Sequence, residues 1–252
     1  MRIIISPAKK MKIDTDGLPW TALPEFLSQT QLLCRQMQEM DSVALKQLWK
    51  CNDTIASLNI HRLKGMDLRK NLTPAILAYE GIQYQYMAPH VFTDDAFAYI
   101  QEHLRILSGF YGLLRPFDGV TPYRLEMQAK LQPAGKKNLY DFWGDTLAKR
   151  IFADTDQVIN LASKEYSQCI ACYVPESARF ITCMFGEEHN GKIIEKGTLC
   201  KMARGEMVRW MAELQIKHPE DLHNFSRLQY RYDPKHSDQS TYVFILQKPK
   251  ME

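Results

Sequence analysis

The chain has no long hydrophobic run at its start, no linker, no internal repeat and little excess of either charge, and each absence removes a class of protein. Ile3-Ile4-Ile5 is the longest apolar run near the N-terminus, whereas a signal-peptide core needs about 7–15 apolar residues and a membrane span about 20. The expectation is a cytoplasmic protein with no membrane partner. Its six cysteines would then sit in a reducing compartment, where structural disulfides are rare. The 12 glycines and 12 prolines are scattered, and no Ser/Gly-rich stretch marks a domain boundary. A chain of 252 residues that is 45% hydrophobic can bury a large core, so residues 1–252 read as a single domain.

A net charge of +3 does not announce a nucleic-acid protein. Its distribution says more. Arg2, Lys9, Lys10 and Lys12 precede the first acid, Asp14; Arg62, Lys64, Arg69 and Lys70 form a second cluster; Lys130, Lys136 and Lys137 form a third. Brought to one face, these clusters would make a local basic patch; taken singly, each reads equally as solvated surface.

Hydrophobic periodicity assigns the elements. Residues 2–6 read as a buried strand ending at Ser6-Pro7, and 158–162 as another, delivering Ser163, Lys164 and Glu165 at its end. Polar residues at such strand ends are the usual ligand contacts of α/β proteins. Helices are predicted over 24–40, 42–60, 74–80, 94–106, 145–153 and 199–216, and strands over 83–87, 179–185, 192–194 and 242–246. The fold class is mixed α/β: a single mixed sheet flanked by helices.

The densest stretch is Leu107-Ser108-Gly109-Phe110-Tyr111-Gly112-Leu113-Leu114-Arg115-Pro116-Phe117-Asp118, followed by Thr121-Pro122-Tyr123-Arg124-Leu125-Glu126-Met127. Thr93 is a candidate N-cap for the preceding helix, with acids in its first turn. Gly109 then falls where a helix ends, and Gly112 three residues later. That spacing is the pattern of a helix-hairpin-helix, here over about 94–118, whose backbone N–H groups meet phosphate oxygens. Pro116 runs against it, because a proline there cuts the second helix short. The alternative is a plain helix cap, with Phe110, Tyr111 and Leu113 in the core.

This run, with Pro122-Tyr123-Arg124-Leu125-Glu126-Met127, resembles the signature of the YaaA family of bacterial peroxide-stress proteins. Further blocks agree in order: Ile5-Ser6-Pro7-Ala8-Lys9, Asn138-Leu139-Tyr140-Asp141-Phe142-Trp143-Gly144, Ile159-Asn160-Leu161-Ala162-Ser163-Lys164-Glu165-Tyr166 and Lys201-Met202-Ala203-Arg204-Gly205. The resemblance covers nearly the whole chain. It implies a role in limiting peroxide damage to DNA and proteins while free iron is kept low. It also implies one α/β body with a positively charged cleft and a helix-hairpin-helix that binds duplex DNA. No catalytic activity and no cofactor follow from it. Lys10 departs from the family pattern, standing where a threonine is often found, and 167–200 is unusually rich in cysteine.

Two functions compete. The first is DNA binding through backbone contacts, with little sequence specificity, by Ser6, Lys9, Lys10, Ser108, Gly109, Gly112, Arg115, Tyr123, Arg124, Lys201 and Arg204. Arg115 and Arg124 rank highest, because a guanidinium on a rigid turn grips an anion at low ordering cost; Glu126, two residues from Arg124, can instead be its ion-pair partner. Lys201 and Arg204 share a helical face, with Gly205 removing bulk beside them. The second is an enzyme for a phosphorylated or nucleotide-like small anion, held by many of the same cations, with Glu165 or Tyr166 moving the proton. A narrow pocket favours the enzyme and a duplex-wide groove favours DNA. Cys169-x-x-Cys172, Cys183, Cys200 and His189 have ligand-like spacing, which direct iron sequestration would need. Their apolar settings read instead as cysteine used as a small hydrophobe, so no metal is assigned.

Overall fold

Ile3, Ile4 and Ile5 have no exposed surface, as expected of a parallel strand covered on both faces. The computed structural model, which describes residues 1–247, places them at the middle of a mostly parallel sheet. Its strands are β1 (Arg2–Ile5), β2 (Leu104–Ser108), β3 (Gly112–Leu114), β4 (Gln157–Leu161), β5 (Arg179–His189), β6 (Lys192–Ile194), β7 (Tyr230–Tyr232) and β8 (Thr241–Leu246). The order is β7-β8-β5-β4-β1-β2-β3, with β6 paired to β5. β2, β1, β4, β5 and β8 run parallel, while β3 and β7 are antiparallel edges. Ile3 faces Leu104 on one side and Ile159 on the other, so apolar strands flank apolar strands and the continuous runs in the sequence are explained.

The helices are α1 (Leu27–Gln38), α2 (Ser42–Trp49), α3 (Asp53–Lys64), α4 (Ala75–Ala78), α5 (Ile82–Met87), α6 (Asp94–His103), α7 (Leu139–Trp143), α8 (Thr146–Phe152), α9 (Lys164–Ala171) and α10 (Gly197–Leu214). The single helix predicted over 42–60 is two. Lys50 turns left-handed at φ 45, and the Asn52 side chain caps α3 by accepting from the Ile55 amide at 3.0 Å. Residues 83–87 are helical rather than extended, and Tyr84 and Met87, both buried, stand three apart on the covered side. The helix predicted over 74–80 keeps only its centre, since Tyr79 and Glu80 pair with Met11 and Lys10.

Thr93 caps α6 as its sequence predicts, its hydroxyl accepting from the Ala96 amide at 3.3 Å. The helix nevertheless ends at His103, and Leu104 begins β2. β2 and β3 form a tight hairpin with Leu107 opposite Leu113 and Ser108 opposite Gly112. Residues 94–118 are therefore helix, strand, turn and strand, and the expected helix-hairpin-helix is corrected. Long-range pairing with β1 overrides the local helical periodicity, because a short, largely apolar run serves equally as a buried strand.

Candidate anion-binding site

Chain order reverses at one point in the sheet. From β1 the chain crosses to β2 on one side, whereas β4, on the other side of β1, leads outward to β5. In open α/β sheets a crevice forms beyond the carboxyl ends of the two strands that part in this way. Ser6 follows β1 and Ser163 follows β4. They meet there: the Ser163 amide donates to Ser6 Oγ at 2.9 Å, and the two hydroxyls lie 3.2 Å apart.

Above them is a cavity of about 400 Å³. Ser6, Lys9, Lys10, Tyr123, Arg124, Lys201 and Arg204, predicted from three separated stretches, all line it, as do Ser163, Glu165 and Tyr166 from a fourth. Five cations thus face three carboxylates, those of Glu80, Glu126 and Glu165. Lys9 reaches Glu126 at 2.7 Å and Lys10 reaches Glu80 at 3.1 Å, and both ammonium groups are solvent-exposed. Such rim pairs contribute little to stability. Arg124 and Arg204 are different. Their side chains are only 10% and 14% exposed, and their ion pairs are loose, 3.5 Å to Glu126 and 3.3 Å to Glu195. Both buried Nε atoms have no hydrogen-bond partner among the described residues.

Aromatic hydroxyls form the floor. Tyr123 meets Tyr79 at 2.9 Å and Ser108 at 2.6 Å, and Tyr84 donates to the Ser6 carbonyl at 3.0 Å. Burial pushes Tyr123 up to about 12, with its hydrogen bonds to Ser108 and Tyr79 pulling the other way, and burial also raises Tyr84 and Tyr166. These phenols stay protonated and can donate at neutral pH. Glu165 is raised from its ordinary value by burial and by the Glu126 carboxylate, against the Gln128 amide that it accepts at 3.3 Å. It therefore holds a proton more readily than a surface glutamate.

Ser108, Gly109 and Gly112 are not part of this lining. Ser108 Oγ accepts from the Phe110 and Tyr111 amides at 3.1 and 2.9 Å, which occupies the N–H groups a phosphate would need. Phe110 and Tyr111 have no exposed surface, and Trp143 Nε1 donates to the Gly109 carbonyl at 3.1 Å. The bend does serve the site, from behind. A Cβ on Gly109 would lie 2.8–3.0 Å from the main chain of residues 125–127, so the glycine lets the segment carrying Arg124 and Glu126 lie flat against the hairpin. Arg115 is elsewhere, in a separate cavity with Arg2, Arg105 and Arg150.

The residues contributed by α5, including Gln83 and Tyr84, escaped the sequence reading, although the spacing of Tyr84 and Met87 was the available signal. Gly205 packs α10 onto α5, with its Cβ position 2.1 Å from the Gln83 carbonyl; what approaches the glycine is another helix. Cys169, Cys183 and Cys200 are buried, and burial raises the Cys169 and Cys183 thiols to about 12 and the Cys200 thiol to about 11. Among the described residues no group of His, Cys, Asp and Glu is arranged to hold a metal, and no helix is long and apolar enough to cross a membrane.

Sheet order and crevice define an α/β protein with its candidate ligand site at the switch point of a mostly parallel sheet. A family profile described as peroxide stress protein YaaA matches residues 1–236. The chain belongs to that family. A relative from Lachnoclostridium phytofermentans, named UPF0246 protein, is 53% identical over 245 residues, covering 97% of this chain and 96% of the relative. Others of the same name, from Pediococcus pentosaceus and Agathobacter rectalis, are each 52% identical, each alignment covering 97% of this chain and 98% of the relative.

Proposed function

We propose that this peroxide-stress protein limits iron-linked oxidative damage by binding a small phosphate-bearing, nucleotide-like anion in the crevice between Ser6 and Ser163. One observation carries the reading: Arg124 and Arg204, both largely buried and each with an Nε that has no partner among the described residues, line the same cavity. Burying a guanidinium donor without a partner is costly, and a phosphate oxygen removes that cost. Size supports the same choice. A 400 Å³ space is within the range of small-molecule sites. In this reading Glu165 is the group placed to exchange a proton with the ligand, and Tyr123 and Tyr166 are donors to its oxygens.

A second reading, DNA held by its backbone, rests on Lys9, Lys10 and Lys201, which are exposed at the mouth. One experiment separates the two. Calorimetric titration with a nucleoside diphosphate should show binding that Arg124→Gln and Arg204→Gln each weaken by about tenfold or more. Undetectable nucleotide binding, or wild-type affinity in both variants, would overturn the small-ligand reading. Duplex binding that falls steeply and linearly in log affinity against log salt, and that is lost on charge reversal of Lys9 and Lys10, would put DNA in its place.

A further inference from the structure

The cavity that holds Arg115 lies at the other end of β1 from the crevice. Arg2 opens the strand and Ser6 follows it, about 13 Å away at 3.3 Å per residue. Its volume is about 360 Å³, and four guanidiniums reach it from β1, β2, the end of β3 and α8. Of these, Arg150 alone is fully neutralised: it grips Glu25 through Nε at 2.8 Å and Asp154 through Nη1 at 2.7 Å. Arg2 reaches the same Asp154 oxygen only at 3.7 Å, and its buried Nε has no partner among the described residues. Arg105 is 7% exposed and, among the described residues, donates only to main-chain carbonyls, those of Leu104 at 2.7 Å and Gln101 at 3.2 Å. Arg115 forms no side-chain ion pair among the described residues.

The remaining carboxylate, Asp118, does not close the balance. Its Oδ2 accepts from the Arg115 amide at 2.8 Å and makes no ion pair with a guanidinium among the described residues. Burial raises it to about 6, so it still carries its charge near neutrality but gives it up more readily than a surface aspartate. Burial, followed by repulsion from Arg2, Arg115 and Arg150, pulls Arg105 down to about 10. The excess is positive, shielded from water at Arg2 and Arg105 and open to it at Arg115, and arranged around a space of small-molecule size.

We propose that this arginine-lined cavity is a second anion site, separate from the switch-point crevice, which takes a compact phosphate-bearing molecule between Arg2, Arg105 and Arg115. Planar guanidiniums on three neighbouring strands suit the several oxygens of a phosphate group. Asp118 is the counter-charge that keeps the site from holding any passing anion. This inference does not depend on the crevice being a ligand site, because no arginine is shared between the two.

Pyrophosphate is the probe. In full-length protein carrying Arg124→Gln, so that the crevice is impaired, calorimetry should still register pyrophosphate binding. Adding Arg115→Gln or Arg2→Gln should weaken that binding by about tenfold or more, and Asp118→Asn should tighten it. A direct measurement needs no variant: Arg115 is exposed, so phenylglyoxal labels it, and saturating pyrophosphate should slow that labelling in wild-type protein as read by mass spectrometry. Equal labelling rates with and without pyrophosphate, or binding indifferent to both Arg115→Gln and Arg2→Gln, would overturn the proposal. A failure confined to Arg124 and Arg204 would count against the crevice reading alone.

Discussion

Alanine at Gly109 would put a methyl group 2.8 Å from the Leu125 carbonyl oxygen, 2.9 Å from the Glu126 carbonyl carbon and 3.0 Å from the Met127 nitrogen. All three neighbours are main chain, so no rotamer change relieves the contact, and the 125–127 segment must move away by several tenths of an ångström. Overpacking of this kind costs about 1–3 kcal/mol, or on the order of 2–12 °C in Tm for a chain of this length. The displaced segment carries Arg124 and Glu126, so nucleotide affinity should fall together with Tm. Scanning calorimetry and a nucleotide titration on the same Gly109→Ala preparation measure both. A glycine whose amide met phosphate directly would behave otherwise, losing binding while keeping its melting temperature. Wild-type Tm in this variant would refute the account of Gly109 as a spacer behind the site.

Two further substitutions test the packing and the electrostatics. Gly205→Ala brings a methyl to 2.1 Å from the Gln83 carbonyl and forces α10 away from α5; it should lower Tm by more than Gly109→Ala, and an equal or smaller loss would show that the helices separate freely. Asp118 is raised by burial to about 6 from 3.8, so its effect on stability is most favourable below about pH 4 and is eroded as pH climbs through 6. The erosion is on the order of 2–3 kcal/mol by pH 7. Asp118→Asn removes the ionisation and keeps an oxygen for the Arg115 amide, so its Tm relative to wild type should rise between pH 4.5 and pH 7.5; a difference that does not change with pH would refute the assignment.

The sequence showed the two strands that build the crevice, because Ile3-Ile4-Ile5 and Val158-Ile159-Asn160-Leu161 are nearly continuous apolar runs that end abruptly in polar residues. Lys201 and Arg204 were legible as neighbours, since three-residue spacing fixes a common helical face. Leu104–Ser108 was not legible, because its apolar residues continue the rhythm of α6 and only pairing with β1 makes them extended. The glycines of the bend misled for a related reason. Spacing shows where a backbone can be approached closely, but not whether the visitor is a phosphate or the protein's own residues 125–127. Arg115 was misplaced because a hairpin turns the chain round: β3 runs back along β2 past Ile106, so Arg115 joins Arg105 and Arg2 instead of the residues beyond Ser108.

The crevice takes its walls from stretches that begin at Ser6 and finish at Arg204. A nascent chain on the ribosome owns its serine and first lysines almost at once and waits for α10 before the ring of cations closes. A ligand that requires the whole ring therefore discriminates finished molecules from partial ones, and once seated it holds the earliest and latest parts of the chain in one cooperative unit, resisting the local opening that proteases exploit.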